Sequence, residues 1–278
     1  MELNVIRGVK ETKKSLFLGP LIVVKNIKEH STLTKYMINK DIKLAYHGTF
    51  LGYLWTMIEP LLMTIILYML FVILRGTSDE FLPLKVMLGI LFFGCFSKTM
   101  SLCTNSLIRN SSLINQVYFP RELFQISVVG YQIYRLLMSL IIVIPVMIWY
   151  KVEPTIFLVF LIPAIIGVSM LGLGLGMIAS ILQVRIRDIS QLVQVILRAS
   201  FFISGVFYGA EHVPEKWLHV HFLNPVAVFI ELSRTAVFGE WGALEIHNII
   251  YALSISLLIL LLGMGIFKRY EQGVVKYI

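Results

Sequence analysis

Residues 51–74 read LGYLWTMIEPLLMTIILYMLFVIL, an apolar run of 24 residues interrupted only by Glu59-Pro60. At 1.5 Å per residue a helix of that length reaches about 36 Å, enough to cross a hydrocarbon layer of about 30 Å with some tilt. No aqueous core of a chain this size needs such a segment. A carboxylate inside it is expensive to bury and therefore points to function.

The rest of the chain agrees. Of its 278 residues, 58% are hydrophobic and only 14% charged, against roughly 25% charged in ordinary soluble domains. Further apolar runs at 86–107, 124–150, 155–182, 189–208 and 247–267 bring the expected spans to six. An even number puts both ends on one side, and charge decides which. Segments 1–49, 108–123, 183–188 and 268–278 hold 16 Lys or Arg and 7 Asp or Glu, whereas the opposite loops hold 5 and 8. Excess Lys and Arg marks the cytoplasmic side, so both termini are expected inside a multi-pass chain. The formal charge of +8 is then a topology signal, and a nucleic-acid partner is not expected. The basic, interrupted N-terminus shows no cleavable leader pattern.

Two segments outside the runs are expected to be helical. Residues 1–50 form a tail whose stretch around 34–43 is lysine-rich and amphipathic, with Leu33, Tyr36, Met37 and Leu44 on one arc, suited to lie at a membrane interface among lipids. In 209–246, NPVAVFIELSRTAVF is too short to cross, and Asn224-Pro225 supplies a cap and a first-turn proline; it reads as a helix on the outer surface or one that dips in and returns. Residues 51–278 read as one transmembrane domain.

Glu59, Lys98, Arg135 and Arg198 are the ionisable residues inside the expected spans. Counted from the cytoplasmic ends, their depths are roughly 12, 14, 17 and 14 Å, a single layer. Charges there must pair or face water. Either the four pair among themselves and with carbonyls, or they line a cavity. One acid cannot neutralise three bases, and the surplus positive charge suits a phosphate or pyrophosphate. Trp55, Tyr131 and Tyr134 are candidate platforms for sugar rings. Gly172, Gly176 and Ser180 have the small-xxx-small spacing that lets helices approach closely. Cys95 and Cys103 lie eight apart on one helix, too far for a disulfide. There is no phosphate-binding G-x-x-x-x-G-K-[ST], no H-E-x-x-H and no G-x-S-x-G. His212, His219 and His221 read as a solvated loop rather than a metal site, and no metal is expected.

Four motifs in order, LGYLWTMIEP at 51–60, VYFPREL at 117–123, VRIRDIS at 184–190 and FLNPVAVFIELSRTA at 222–236, resemble the permease subunits of bacterial ABC exporters of O-antigen, capsular polysaccharide and teichoic acid. The resemblance implies an all-α membrane fold of six helices per subunit. It also implies a homodimer served by two copies of a separate ATPase that binds ATP and Mg, with no cofactor or catalytic residue in this chain. The cargo would be a lipid-linked polymer moved from the cytoplasmic to the outer side of the plasma membrane. Carried over by position, 34–43 would be the interface helix and 110–121 the coupling helix. Arg109, Tyr118, Phe119, Pro120, Arg121, Arg185, Arg187 and Asp188 would be the ATPase contacts. The segment 211–238, with Asn224, Pro225, Glu231 and Arg234, would form the external gate. Two other readings stay open: an ABC permease for a drug or simple lipid, and a membrane-embedded glycosyl or phosphoglycosyl transferase, for which Glu122 and Asp188 look like isolated cytoplasmic acids.

Overall fold

The computed structural model describes residues 18–76, 80–116 and 120–274. Among these residues every regular element is helical. They are α1 (Gly19–Glu29), α2 (Ser31–Tyr46), α3 (Trp55–Arg75), α4 (Leu82–Arg109), α5 (Ser111–Gln116), α6 (Glu122–Leu140), α7 (Val143–Trp149), α8 (Leu161–Arg185), α9 (Ile189–Ile203), α10 (Glu215–Phe222), α11 (Pro225–Phe238) and α12 (Ile246–Val274). Among the described residues five stretches are long and apolar enough to cross a membrane: Gly52–Ile73, Leu82–Arg109, Glu122–Trp149, Ile156–Arg185 and Ile246–Glu271.

The centre of the bundle is α8, held between α4 and α12 by backbone-to-backbone approach. A Cβ added at Gly172 or Gly176 would press on Phe96, Thr99 and Cys103 of α4, and one added at Gly174 would lie 2.8 Å from the Ile259 backbone of α12. The small-residue spacing therefore serves packing within the chain, the form that helix association takes when lipid supplies no hydrophobic drive. Ser180 continues the stripe as an acceptor for Gln125 Nε2 of α6 at 2.8 Å.

Several boundaries differ from the sequence expectation for identifiable reasons. The run 124–150 is divided at 141–142 into α6 and α7, because Pro145 has no amide for the Ile141 carbonyl and its ring crowds that oxygen. The run 189–208 yields the helix α9 of only 15 residues, about 22 Å long. The chain turns away at Gly205, φ +70°, where the carbonyls of Gly205, Val206 and Tyr208 accept from Arg234 instead of from helix amides. The last helix extends past 267 to Val274 and takes Lys268 and Glu271 into its final turns. At the N-terminus α2 is longer than 34–43 and is preceded by α1, which sequence reading did not anticipate. The expected apolar arc of α2 is only partly used: Met37 and Thr34 are buried against the bundle, whereas Leu33, Tyr36 and Leu44 remain exposed.

The segment ahead of α12 packs into the bundle. Asn224 caps α11 by accepting from Val226 N at 3.0 Å, Pro225 opens the helix, and residues 226–237 are all buried against α4, α8 and α12.

Candidate functional site

Three of the four charges expected within spans meet. The Glu59 carboxylate of α3 lies 2.9 Å from Lys98 Nζ of α4 and 2.5 Å from Arg135 Nη2 of α6. The helix is prepared for this at Pro60, which cannot donate to the Thr56 carbonyl; Ser139 Oγ of α6 donates to it instead, at 2.8 Å. Polar groups freed in apolar surroundings need such a partner. Because Ser139 stands one turn beyond Arg135, this bond and the ion pair together fix α3 on α6.

Lys98 and Arg135 of the triad line a cavity of about 840 Å³ between α3, α4, α6 and α9, and Glu59 lines the smaller pocket beside it. Arg198 enters from α9, its Nε donating to the Gln194 carbonyl one turn back at 3.3 Å, and no carboxylate among the described residues pairs with it. The wall therefore carries Lys98, Arg135 and Arg198, with Glu59 behind it pairing with the first two. Gln194 donates to Ser101 Oγ across the cavity. Tyr131 lines it, together with Phe93, Phe201 and Phe202, whose rings meet edge to face, Phe93 to Phe201 at 5.1 Å between centroids. Trp55 and Tyr134 lie outside its wall, Trp55 exposed at the start of α3. Sequence reading put the four charges at one depth but could not choose among the aromatics, because hydropathy does not tell a cavity wall from a lipid-facing surface.

At one end of the bundle, Arg109 closes α4, and Arg185, Arg187 and Asp188 are exposed at the α8–α9 turn. Gln183 staples that turn, donating to the Arg187 carbonyl at 3.0 Å and accepting from Ser190 N at 2.6 Å. Arg185 lies 5.8 Å from the Tyr270 ring. Pro120 and Arg121 are half-buried; Tyr118 and Phe119 lie outside the described residues. Glu122 is not the isolated acid expected from sequence. It is fully buried, 2.7 Å from Lys268 Nζ, and accepts from Asn26 Nδ2 of α1 at 2.6 Å. Its partner is 146 residues away, so nothing local announced it.

At the opposite end, Glu231 and Arg234 form a buried pair at 2.7 Å. Glu231 also accepts from Ala210 N at 2.9 Å. Arg234 donates to the carbonyls of Tyr208, Gly205, Val206 and, on α4, Lys85. Asn224 Nδ2 donates to Ser204 Oγ at 2.9 Å. These residues, expected at a gate, join α11 to the turn after α9 and to the start of α4. His212 and His219 do not converge with His221, and the described residues contain no group of His, Cys, Asp or Glu suited to a metal ion.

Compared with known proteins, residues 32–238 match the family of the ABC-2 type transporter. The O-antigen export system permease protein RfbA of Klebsiella pneumoniae is 26% identical over 84% of this chain and 90% of its own length. A protein of the same name from Myxococcus xanthus is 24% identical over 90% and 96%. The capsule polysaccharide export inner-membrane protein CtrC of Neisseria meningitidis serogroup A is 24% identical over 96% and 99%.

Proposed function

The chain belongs to the ABC-2 type transporter family, and from that premise we propose that it is the permease subunit of an ATP-driven exporter that moves a lipid-linked polysaccharide or teichoic acid from the cytoplasmic to the outer side of the plasma membrane. The relatives named for O-antigen and capsule export support the cargo class, since each aligns over most of its own length and not over a fragment.

The observation that carries the reading is the cavity between α3 and α9, lined by three cations, two of which share the Glu59 carboxylate behind its wall. Lys98 and Arg135 share Glu59, so Arg198 is the cation left to meet a phosphate or pyrophosphate. The aromatic wall suits the apolar faces of sugar rings. The short α9 would serve as the sixth crossing, with the turn at 204–209 completing it, and both termini would then be cytoplasmic. Residues 1–50 would be the interface region, with α2 along the membrane, and 51–278 the transmembrane domain. Residues 110–121 and the α8–α9 turn would receive the ATPase, two copies of which would serve a homodimer. ATP and Mg would bind there and not in this chain. The segment 211–238 would form the outer boundary of the path.

Reconstitution of the full chain with its ATPase and a lipid-linked polymer in vesicles tests this. Outward movement should depend on ATP, and the chain alone should hydrolyse none. Nucleotide hydrolysis by the chain alone, or ATP-independent movement, would refute the assignment.

A further inference from the structure

The buried ionic cluster at the end of the bundle opposite α11 has no part in the cavity, yet it occupies a singular place. Glu122 is the first residue of α6, directly after the 110–121 connection; Lys268 and Glu271 belong to the last turns of α12; Asn26 belongs to α1. Glu122, Lys268 and Glu271 are 0, 4 and 6% exposed. Lys268 Nζ lies 2.7 Å from Glu122 and 3.0 Å from Glu271. Arg121, from the connection itself, donates to the Glu271 carbonyl at 3.3 Å.

Around this cluster the apolar contacts join the same parts. Ile114 of α5 is buried in a group with Val23 of α1, Leu107 of α4, Leu123 of α6, and Met264 and Phe267 of α12. The backbones of α1 and α12 touch where a Cβ on Gly19 would lie 2.6 Å from Gly265 Cα. A movement imposed on Ile114 of α5 or on Arg121 therefore bears on α12 and α1.

Stability alone does not account for the charges. Removing two acids and an ammonium from water costs several kcal/mol per ion, and well-packed neutral side chains commonly do as well or better. Ion pairs differ from apolar packing in being directional: they resist sliding of one helix along another and hold one register.

We propose that Glu122, Lys268 and Glu271, with Asn26, are positioning residues that transmit displacement of the 110–121 connection to α12 and α1. This rests on the exporter reading and deepens it, since it names the route by which the ATPase stroke enters the bundle. None of these four residues lines the cavity.

The test is the triple variant E122Q/K268M/E271Q, which leaves no orphaned charge, in the full complex with the ATPase. The expected result is unchanged thermal stability and assembly with the ATPase, continued ATP hydrolysis, and at least a tenfold fall in polymer exported per ATP. Export per ATP within twofold of the parent would overturn the relay. So would loss of the folded protein, because it would show that the cluster's role is structural. If the parent complex itself shows no ATP-driven export, the exporter reading falls and the relay with it, whereas normal parental export beside an unimpaired variant sinks the relay alone.

Discussion

Ser139 Oγ lies 2.8 Å from the carbonyl oxygen of Thr56, the acceptor in α3 that Pro60 leaves without an amide. The hydrogen bond that Pro60 removes from α3 is thus replaced by a hydroxyl from α6, and the carboxylate beside it is delivered to Arg135. Replacing Ser139 with Ala leaves that carbonyl unpaired, a cost of about 1–3 kcal/mol. The variant should melt several degrees lower in detergent and lose part of its export. An S139A protein with parental melting and export would show that α3 is held by the ion pair alone.

Arg198 and Arg135 should behave differently although both are cavity arginines. R198A breaks no ion pair among the described residues, so the variant should fold normally while export falls at least tenfold. R135A leaves Glu59 with Lys98 only, and should lower the melting temperature as well. Thermal unfolding alongside vesicle export separates the two cases, and normal export by R198A would remove it from the substrate path.

His221 provides a pH signature. It is buried beside Gly205 and Tyr208, and burial first, then the charge of Arg234, holds its pKa down at about 4 from 6.5. The fold therefore keeps the imidazole neutral, and the unfolded chain binds the proton first as pH falls. Its contribution is complete above about pH 6.5 and is lost as pH falls toward 4, amounting to about 2 kcal/mol at pH 5. Melting curves at pH 7.5 and 5 should diverge in the parent and converge in H221Q; equal divergence in both would place the titrating group elsewhere.

Arg234, 4% exposed, holds four carbonyls and one carboxylate. R234M strands Glu231 in the interior and frees the turn after α9, so a loss of about 3–5 kcal/mol is expected. R234K supplies one ammonium where a planar fork is required, and should recover little of it. Parental expression and melting of R234K would show that charge alone suffices.

The glycines of α8 and α4 make a paired test. A Cβ added at Gly174 would lie 2.8 Å from the α12 backbone, whereas nothing lies within 4 Å of one added at Gly94 on the cavity wall. G174V should abolish folded protein in membrane extracts, and G94A should leave it intact. Equal yields of the two would contradict the close approach of α8 and α12.

Hydropathy alone determined that this is a bundle of membrane-length helices, because a 20-residue apolar run has few other uses. It also placed Glu59, Lys98, Arg135 and Arg198 at one depth, since rise per residue converts position into height once the ends are known. The Asn224-Pro225 cap was equally legible, being a bond between neighbours. What only the tertiary structure decided is azimuth and pairing: which cation meets Glu59, which aromatics turn inward, where α9 stops, and that Glu122 finds Lys268. A helix fixes the height of a side chain through its own geometry, but the direction it faces is set by the neighbours it packs against, and those arrive from 39 to 146 residues away.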